Sequence, residues 1–259
     1  FTLYDVMGRQ NDTLALFDDS NKIANRKDGD GPAEERDAAI NRVNAMGAAL
    51  QAEPEVLVNV LALAANELRG GGRARDYRTN FLLGTLAVRA KQTDTAEALL
   101  RQAAATSPPQ SVMGVYYQWL PLLWQRHDFE GIVRIGREGV ARQDGNAGYF
   151  HRQLGLAYSE LGQFEEAVRN IDRAVKLSAE DGEGRQNRAI RARILACKGD
   201  RAAALAEAES LLQDAKTPQH MQQARQALST VYTTLRNWAK SEEQLRLILE
   251  VDPNNALAN

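Results

Sequence analysis

Three histidines, one cysteine and a few carboxylate pairs are the residues of this chain with reactive chemistry to offer. His127, His151 and His220 do not stand at the i and i+4 spacing that turns two imidazoles toward one metal on a helix. Cys197 sits beside Lys198, and a thiolate next to a cation can be a nucleophile. Late in a helix it reads as a small buried core residue instead. No Gly-x-Ser-x-Gly elbow is present to present a serine. Glu165-Glu166 and Glu242-Glu243 open helices, where they favour the positive end of the helix dipole. Asp28 and Asp30 in NRKDGDGPAEE have a passing likeness to a calcium loop. The next ligand position holds Pro32, and no glutamate closes the set, so the segment reads as a solvated loop. Gly70, Gly71 and Gly72 lie among Arg69, Arg73 and Arg75. No Gly-Lys-Ser/Thr follows, so they do not form a phosphate loop, and so short a run reads as a connection rather than an RNA-binding tail. Asn11-Asp12-Thr13 matches a glycosylation acceptor, which only a secreted eukaryotic protein would use. No catalytic residue, metal site or cofactor is expected.

The composition points the same way. A net charge of -2, with both signs among the 25% charged residues, lacks the basic excess of a general nucleic-acid binder. The 44% apolar content, with only 6% aromatic, is weighted to Ala and Leu and suits helices. No run of about 18 apolar residues exists to span a membrane. One cysteine permits no internal disulfide, which fits the cytoplasm and the periplasm alike. The first residue is Phe1, with no signal pattern after it, so the chain reads as a segment or a processed form, which leaves room for an upstream signal.

The elements that would position any site are short helices at 3.6-residue spacing. TLYDVMG and TLALFDDSNKIA carry weak helical pattern. Residues 33–52 and 54–69 read as two helices, with Pro54 in the first turn of the second, where its missing N–H costs nothing. Val56, Leu57, Val60, Leu61 and Leu68 form the apolar stripe of that second helix. From Tyr77 onward, similar helix pairs recur. In GYFHRQLGLAYSELGQFEEAVRNIDRAVKLSA, residues 148–179, Leu154, Gly155 and Tyr158 share a face of the first helix. Gly162 breaks the chain, and Ala167, Ile171 and Ala174 share a face of the second. Neither helix alone covers its stripe, so the unit needs neighbours.

That pattern resembles the tetratricopeptide repeat: Leu-Gly-x-x-Tyr, then small, bulky and small residues, then proline, where Ala179 stands. Leu83-Gly84 with Ala96, Leu100, Ala103 and Pro108 fits a second unit, with Ala87 in place of the usual tyrosine. Trp119, Leu123, Ile132, Gly136 and Gly139 mark a divergent unit, its turn at His127-Asp128-Phe129, with Pro121 expected to kink or shift its first helix. Arg191, Ala192, Leu195, Ala204, Ala208 and Leu211 mark another, turning at Gly199-Asp200. There Arg191 replaces the leucine, which suggests a rotated helix or a misjudged start. Leu228, Tyr232, Trp238, Ser241, Leu245, Ile248 and Pro253 mark the last. The leucine-position anchors 83, 119, 154, 191 and 228 are 36, 35, 37 and 37 residues apart, against the family's 34. The extra residues fall to loops and helix ends, which tolerate them cheaply.

The resemblance implies an all-α, right-handed superhelical solenoid of antiparallel helix pairs. Residues 77–259 would be a tetratricopeptide-like array of about five units, and 1–76 atypical helical repeats. It implies a non-catalytic protein–protein interaction scaffold that holds a peptide or partner domain in a concave groove lined by the first helices. Opposite their packing faces stand Arg78, Phe81, Thr85 and Arg89; Tyr117, Gln118 and Trp124; Tyr149, Arg152 and Gln153; Gln186, Ala189 and Arg193; and Gln223, Gln226 and Thr230. Among these, Arg78, Phe81, Tyr117, Trp124, Tyr149, Arg152 and Arg193 have the area, shape and forked donors of interface anchors. One branch of the family clamps acidic chaperone tails with Lys and Asn. Arg152 and Leu156, and Phe81 and Thr85, stand at those places, so that role is rejected. The expected partner is a protein or peptide, with no nucleic acid, no membrane insertion and a possible homo-oligomer. Two alternatives are an accessory segment of a larger enzyme or secretion assembly, and a self-assembling repeat array.

Overall fold

The computed structural model describes residues 10–26, 30–71, 75–108, 111–142, 147–178 and 183–255. Thirteen α-helices cover most of these. They are α1 (Gln10–Ala24), α2 (Ala33–Ala52), α3 (Pro54–Arg69), α4 (Tyr77–Arg89), α5 (Thr93–Thr106), α6 (Val112–Gln125), α7 (Phe129–Ala141), α8 (Ala147–Glu160), α9 (Phe164–Leu177), α10 (Gly184–Lys198), α11 (Arg201–Gln213), α12 (Pro218–Thr234) and α13 (Trp238–Leu249). The segment TLALFDDSNKIA lies within α1. TLYDVMG, Asp28 and Arg73 fall outside the described residues. The helices expected over 33–52 and 54–69 are α2 and α3, and Pro54 does open α3.

The same turn recurs five times along the described residues. Lys91, His127, Gly162, Gly199 and Arg236 have φ of 57°, 55°, 71°, 94° and 58°, and each lies eight residues beyond its anchor. At four of them two backbone hydrogen bonds complete a Schellman cap. Lys91 N–H donates to the Val88 carbonyl at 3.0 Å, and Gln92 N–H to that of Ala87 at 2.9 Å. Gly162 and Gln163 repeat this onto Ser159 and Tyr158, Gly199 and Asp200 onto Ala196 and Leu195, and Arg236 and Asn237 onto Thr233 and Tyr232. The last residue of each turn then stands at the N-cap of the second helix. Asp128, Asp200 and Asn237 accept from the N–H of Gly131, Ala203 and Lys240. The constant offset settles the place of Arg191: α10 is neither rotated nor displaced, and the arginine occupies the anchor position in register. Its guanidinium spans α9 and α11, with Nε 2.6 Å from Asp172 and an NH group 2.5 Å from Glu207.

Packing divides the chain into residues 1–126 and 127–259. In the first, α4 pairs with α5, α5 packs on α6, and α1 packs on α2, α3 and α4. Contacts of α1 and α3 with α4 and α5 join the residues on either side of position 76 within this unit. Asp18, 1% exposed, is the main polar tie. One carboxylate oxygen accepts from Asp76 N–H at 2.8 Å and Thr79 Oγ1–H at 2.9 Å, and the other from Lys22 Nζ at 2.5 Å. α6 runs on through Pro121, which is exposed, so the carbonyl that loses its helical donor lies on the wet side.

In residues 127–259, α7 packs on α8, α8 pairs with α9, α9 packs on α10, α10 pairs with α11, α11 packs on α12, and α12 pairs with α13. First helices also touch one another: α8 meets α10, and α10 meets α12. Small residues set these distances. A Cβ at Gly155 would stand 3.2 Å from Ile171 Cβ and 3.3 Å from the Ala167 carbonyl oxygen. In the first unit, one at Gly84 would stand 2.8 Å from Leu100. One at Gly136 would stand 2.7 Å from Leu154, and one at Gly139 would enter the Phe150 ring. Ala167 is fully buried. Ala167→Leu should therefore overpack the α8–α9 contact and cost about 1–3 kcal/mol. An unchanged melting temperature would show that Ala167 does not face α8. Tyr158 shares a core cluster with Leu154, Ala167, Ile171, Ala174 and Ile194 of the following first helix, as the stacking requires. Its hydroxyl accepts from Arg137 Nε at 3.0 Å.

Candidate binding site

The first helices α8, α10 and α12 present one face to a shared cavity of about 580 Å³. On α10 the lining positions are Arg185, Gln186, Ala189, Ile190 and Arg193, and on α12 Gln223, Ala224, Gln226, Ala227 and Thr230. Leu156 of α8 and Leu211 of α11 complete it. The α10 and α12 sets recur at three- and four-residue steps, one stripe of each helix. The stripes face a cavity because small residues, Ala189, Ala224 and Ala227, stand where larger ones would fill it. Six of the twelve lining residues are among those expected from the repeat register: Gln186, Ala189, Arg193, Gln223, Gln226 and Thr230. Arg185 is not among them. It stands four residues before Ala189 and so lies on the same stripe.

The polar groups are of two kinds. Gln186, Gln223, Gln226 and Thr230 offer amides and a hydroxyl, and the Thr230 hydroxyl is already donated to the Gln226 carbonyl at 2.9 Å. Arg185 and Arg193 offer cations. Arg185 turns toward the end of α11, donating to the Leu211 carbonyl at 2.7 Å and the Asp214 carbonyl at 3.3 Å. Its Nε is buried and meets no hydrogen-bond partner. Arg193 lies 3.5 Å from Glu160, with its side chain 36% exposed. Behind the cavity, Arg188 binds Glu207 at 2.6 Å, Asp214 at 2.9 Å and the Ser210 hydroxyl at 2.8 Å. The Arg188 hydrogen bond holds the Asp214 carboxyl below its usual range. Burial works against the charge on Arg188, but its bonds to Glu207 and Asp214 outweigh that and strengthen its hold on the proton.

Of the seven interface candidates, Arg193 alone lines this cavity. Arg152 is buried, donates to Glu183 at 2.8 Å and lies over the Tyr149 ring, 5.4 Å from its centroid. Tyr149 is half-buried, edge-on to Phe150. In the first unit Tyr117 is 43% exposed, and Phe81 and Trp124 are half-buried. Arg78 lies over Tyr77, 4.6 Å from the ring centroid, and near Asp76 at 3.5 Å. Cys197 is exposed, against the expectation of a core residue. Ala196, one position earlier, takes the buried place, and the thiol falls on the outer side of the last turn of α10. His151 Nδ1 is 3.0 Å from Asn170 Oδ1, and His127 lies in its turn with its ring edge-on to Phe129. Among the described residues no group of three or more His, Cys, Asp or Glu could hold a metal ion, and no single helix is long and apolar enough to cross a membrane.

The fold is thus an all-α array of sequentially packed helix pairs. Residues 153–181, which include α9 and the anchor Leu154, match the family model described as tetratricopeptide repeat. None of the curated proteins compared with the chain matches it. Among solved structures, it is similar to YrrB, described as a tetratricopeptide protein with an unusual peptide-binding site. The identity is 20% over 71% of this chain and 90% of that one, with a TM-score of 0.48. It is also similar to the tetratricopeptide domain of P58(IPK), at 11% identity over 98% of this chain and 76% of that one, TM-score 0.34. The C-terminal part of a tetratricopeptide repeat-containing protein from Cytophaga hutchinsonii is similar at 14% identity over 82% of this chain and 96% of its own, TM-score 0.31.

Proposed function

We propose that this chain is a non-catalytic scaffold that holds a peptide or a segment of a partner protein against the face formed by its first helices. The repeat array runs over residues 77–259, preceded by atypical repeats. The cavity between α10 and α12 carries this reading. It is concave, floored by small apolar side chains and rimmed by amides and arginines, which suits recognition of a peptide chain. The tetratricopeptide match over 153–181 supports it, since that family binds proteins and peptides. Arg193 is the anchor within the cavity. Tyr149, supported by Arg152, extends the contact surface onto α8, and Arg78, Phe81, Tyr117 and Trp124 are candidate contacts on the first helices of the first unit.

The test is capture of partners from a lysate on the immobilised chain, followed by mass spectrometry. A variant with the cavity filled, Ala189→Trp, should lose the proteins that the wild type retains. The control Arg169→Ala, on the exposed face of α9, should keep them. Identical captures by wild type and filled variant would exclude the cavity as the binding place. A second reading, self-association, is favoured by an apolar hollow of about 440 Å³ between the start of α12 and the end of α13, where Met221, Leu247 and Val251 meet. A mass by light scattering that rises with concentration would support it.

A further inference from the structure

We infer that the hollow between the start of α12 and the end of α13 binds an aliphatic carboxylic acid, its carboxylate on Arg225 and its hydrocarbon against Met221, Leu247 and Val251. The hollow shares no lining residue with the α10–α12 cavity, so this ligand is independent of what that cavity holds.

Arg225 stands three residues before its anchor, Leu228, as Arg188 stands before Arg191. Arg188 is met by Glu207 at 2.6 Å, Asp214 at 2.9 Å and the Ser210 hydroxyl at 2.8 Å. One repeat on, 37 residues later, those three places hold Gln244, Val251 and Leu247. The guanidinium is kept, while two carboxylates and a hydroxyl have become one amide and two hydrocarbon side chains. Gln244 accepts from Arg225 only at 3.5 Å. The carboxylate of the lining, Asp252, accepts instead from Asn255 at 3.1 Å. Exposed Lys216 adds a second cation at the rim. Any occupant that covers the half-buried Arg225 without a counter-ion strands its charge. A ligand carboxylate there restores the charge-assisted pair that Asp214 gives Arg188.

The rest of the hollow is hydrocarbon. In the preceding repeat Arg185 crosses this place to reach the last carbonyls of α11. The shorter Gln222 stands there in the last repeat, and a space of about 440 Å³ stays open. Met221 and Arg225 lie one turn apart on α12, and Leu247 and Val251 are four residues apart across the end of α13. Val251 is 78% exposed, an aliphatic group left in water where Asp214 stands one repeat earlier. From Pro218 to Arg225 the α12 stripe runs about 10 Å at about 1.5 Å per residue. A chain of about eight carbons spans the same length, since each bond of about 1.5 Å advances it about 1.3 Å. A peptide suits the place less. It brings an N–H and a C=O with every residue, and groups covered without partners are costly. Thr217 is engaged at the cap of α12, where it accepts from His220 N–H at 3.1 Å, which leaves Gln222 to answer them. An aliphatic acid brings hydrocarbon and a single charged head.

The experiment is titration calorimetry of the full chain with butanoate, hexanoate, octanoate and decanoate, and with 1-octanol and octylamine as neutral and cationic probes. Octanoate should bind about tenfold tighter than octanol, and octylamine more weakly than either. Affinity should rise about threefold per added methylene up to octanoate and then level off. Arg225→Gln should bring octanoate down to the level of octanol and leave octanol unchanged, and Arg225→Lys should keep most of the difference. Val251→Asp returns the carboxylate that Asp214 supplies one repeat earlier, and should abolish the preference for octanoate from within the chain. Melting curves matching the wild type confirm that each variant is folded. Equal binding of octanoate and octanol would overturn the charge assignment, and a preference that survives Arg225→Gln would overturn the role of Arg225. Affinity that does not depend on chain length would place the acid outside the hollow. Ala189→Trp should bind octanoate as the wild type does; its loss there would move the ligand to the α10–α12 cavity, so the failure of this inference and that of the peptide reading remain distinct. No binding by any acid would overturn the inference. A mass that rises with concentration and falls to the monomer in Val251→Asp would then give the hollow to a second copy. An acetylated, amidated peptide of Leu and Asp that binds tighter than octanoate would give it to a protein partner and overturn the inference equally.

Discussion

Asp18→Ala should cost the first unit about 2–4 kcal/mol, since it leaves two covered donors without their acceptor. Asp18 accepts from a backbone N–H, a hydroxyl and a lysine. Without it, Asp76 N–H and the buried Thr79 hydroxyl lose their acceptor, and each covered donor left unmatched adds its own penalty. The helix α1 also loses its polar link to the start of α4, about sixty residues away in sequence. Asp18→Asn keeps an acceptor for Asp76 and Thr79 and turns an amide toward Lys22, so it should cost about half as much. The direct readout is hydrogen exchange at the Asp76 amide, which should accelerate strongly in the alanine variant and less in the asparagine one. An Asp76 amide that exchanges at the wild-type rate in Asp18→Ala would contradict the bond.

Gly139→Val should cost the second unit about 3 kcal/mol. Any Cβ at this position enters the ring of Phe150, and that ring is fully buried, with no space to turn into. The substitution also removes a helix-interior glycine, which by propensity alone would favour the variant by a fraction of a kcal/mol. Steric overlap decides the sign. Phe150→Ala by itself should cost about 3–5 kcal/mol through the cavity it leaves. Combined, the two changes should cost clearly less than their sum, because the valine occupies space that the ring vacates. Additive losses, measured by urea unfolding, would mean that Gly139 and Phe150 do not share this contact. Since each repeat contacts mainly its neighbours, faster hydrogen exchange should be concentrated in α7 and α8 and leave α12 and α13 protected.

Helix positions and the repeat register were legible because both rest on local patterns. Pro54 announces α3 through its missing N–H, and the anchors at 83, 119, 154, 191 and 228 count out the turns at 91, 127, 162, 199 and 236. The groove was partly legible for the same reason: a register names the residues on a stripe, and Gln186, Gln223, Gln226 and Thr230 follow from it. Long side chains and their distant partners were not. Nothing near Arg152 in sequence points to Glu183, thirty-one residues on, and spacing cannot tell which of Arg185 and Arg193 is held to a helix end. Cys197 shows the same limit on a smaller scale. One residue of rotation separates a core position from a wet one, and the late turn of a helix carries no pattern long enough to fix it.

Arg191 sets one joint of the array apart. Where other units seat hydrocarbon at the anchor, this one bridges its neighbours with a guanidinium between Asp172 and Glu207, only partly covered. Dissolved electrolyte screens such a bond, whereas excluded salts such as sulfate reinforce the oily joints beside it. This joint therefore carries a coupling whose stiffness the surrounding ionic medium adjusts, while the oily contacts beside it respond in the opposite sense.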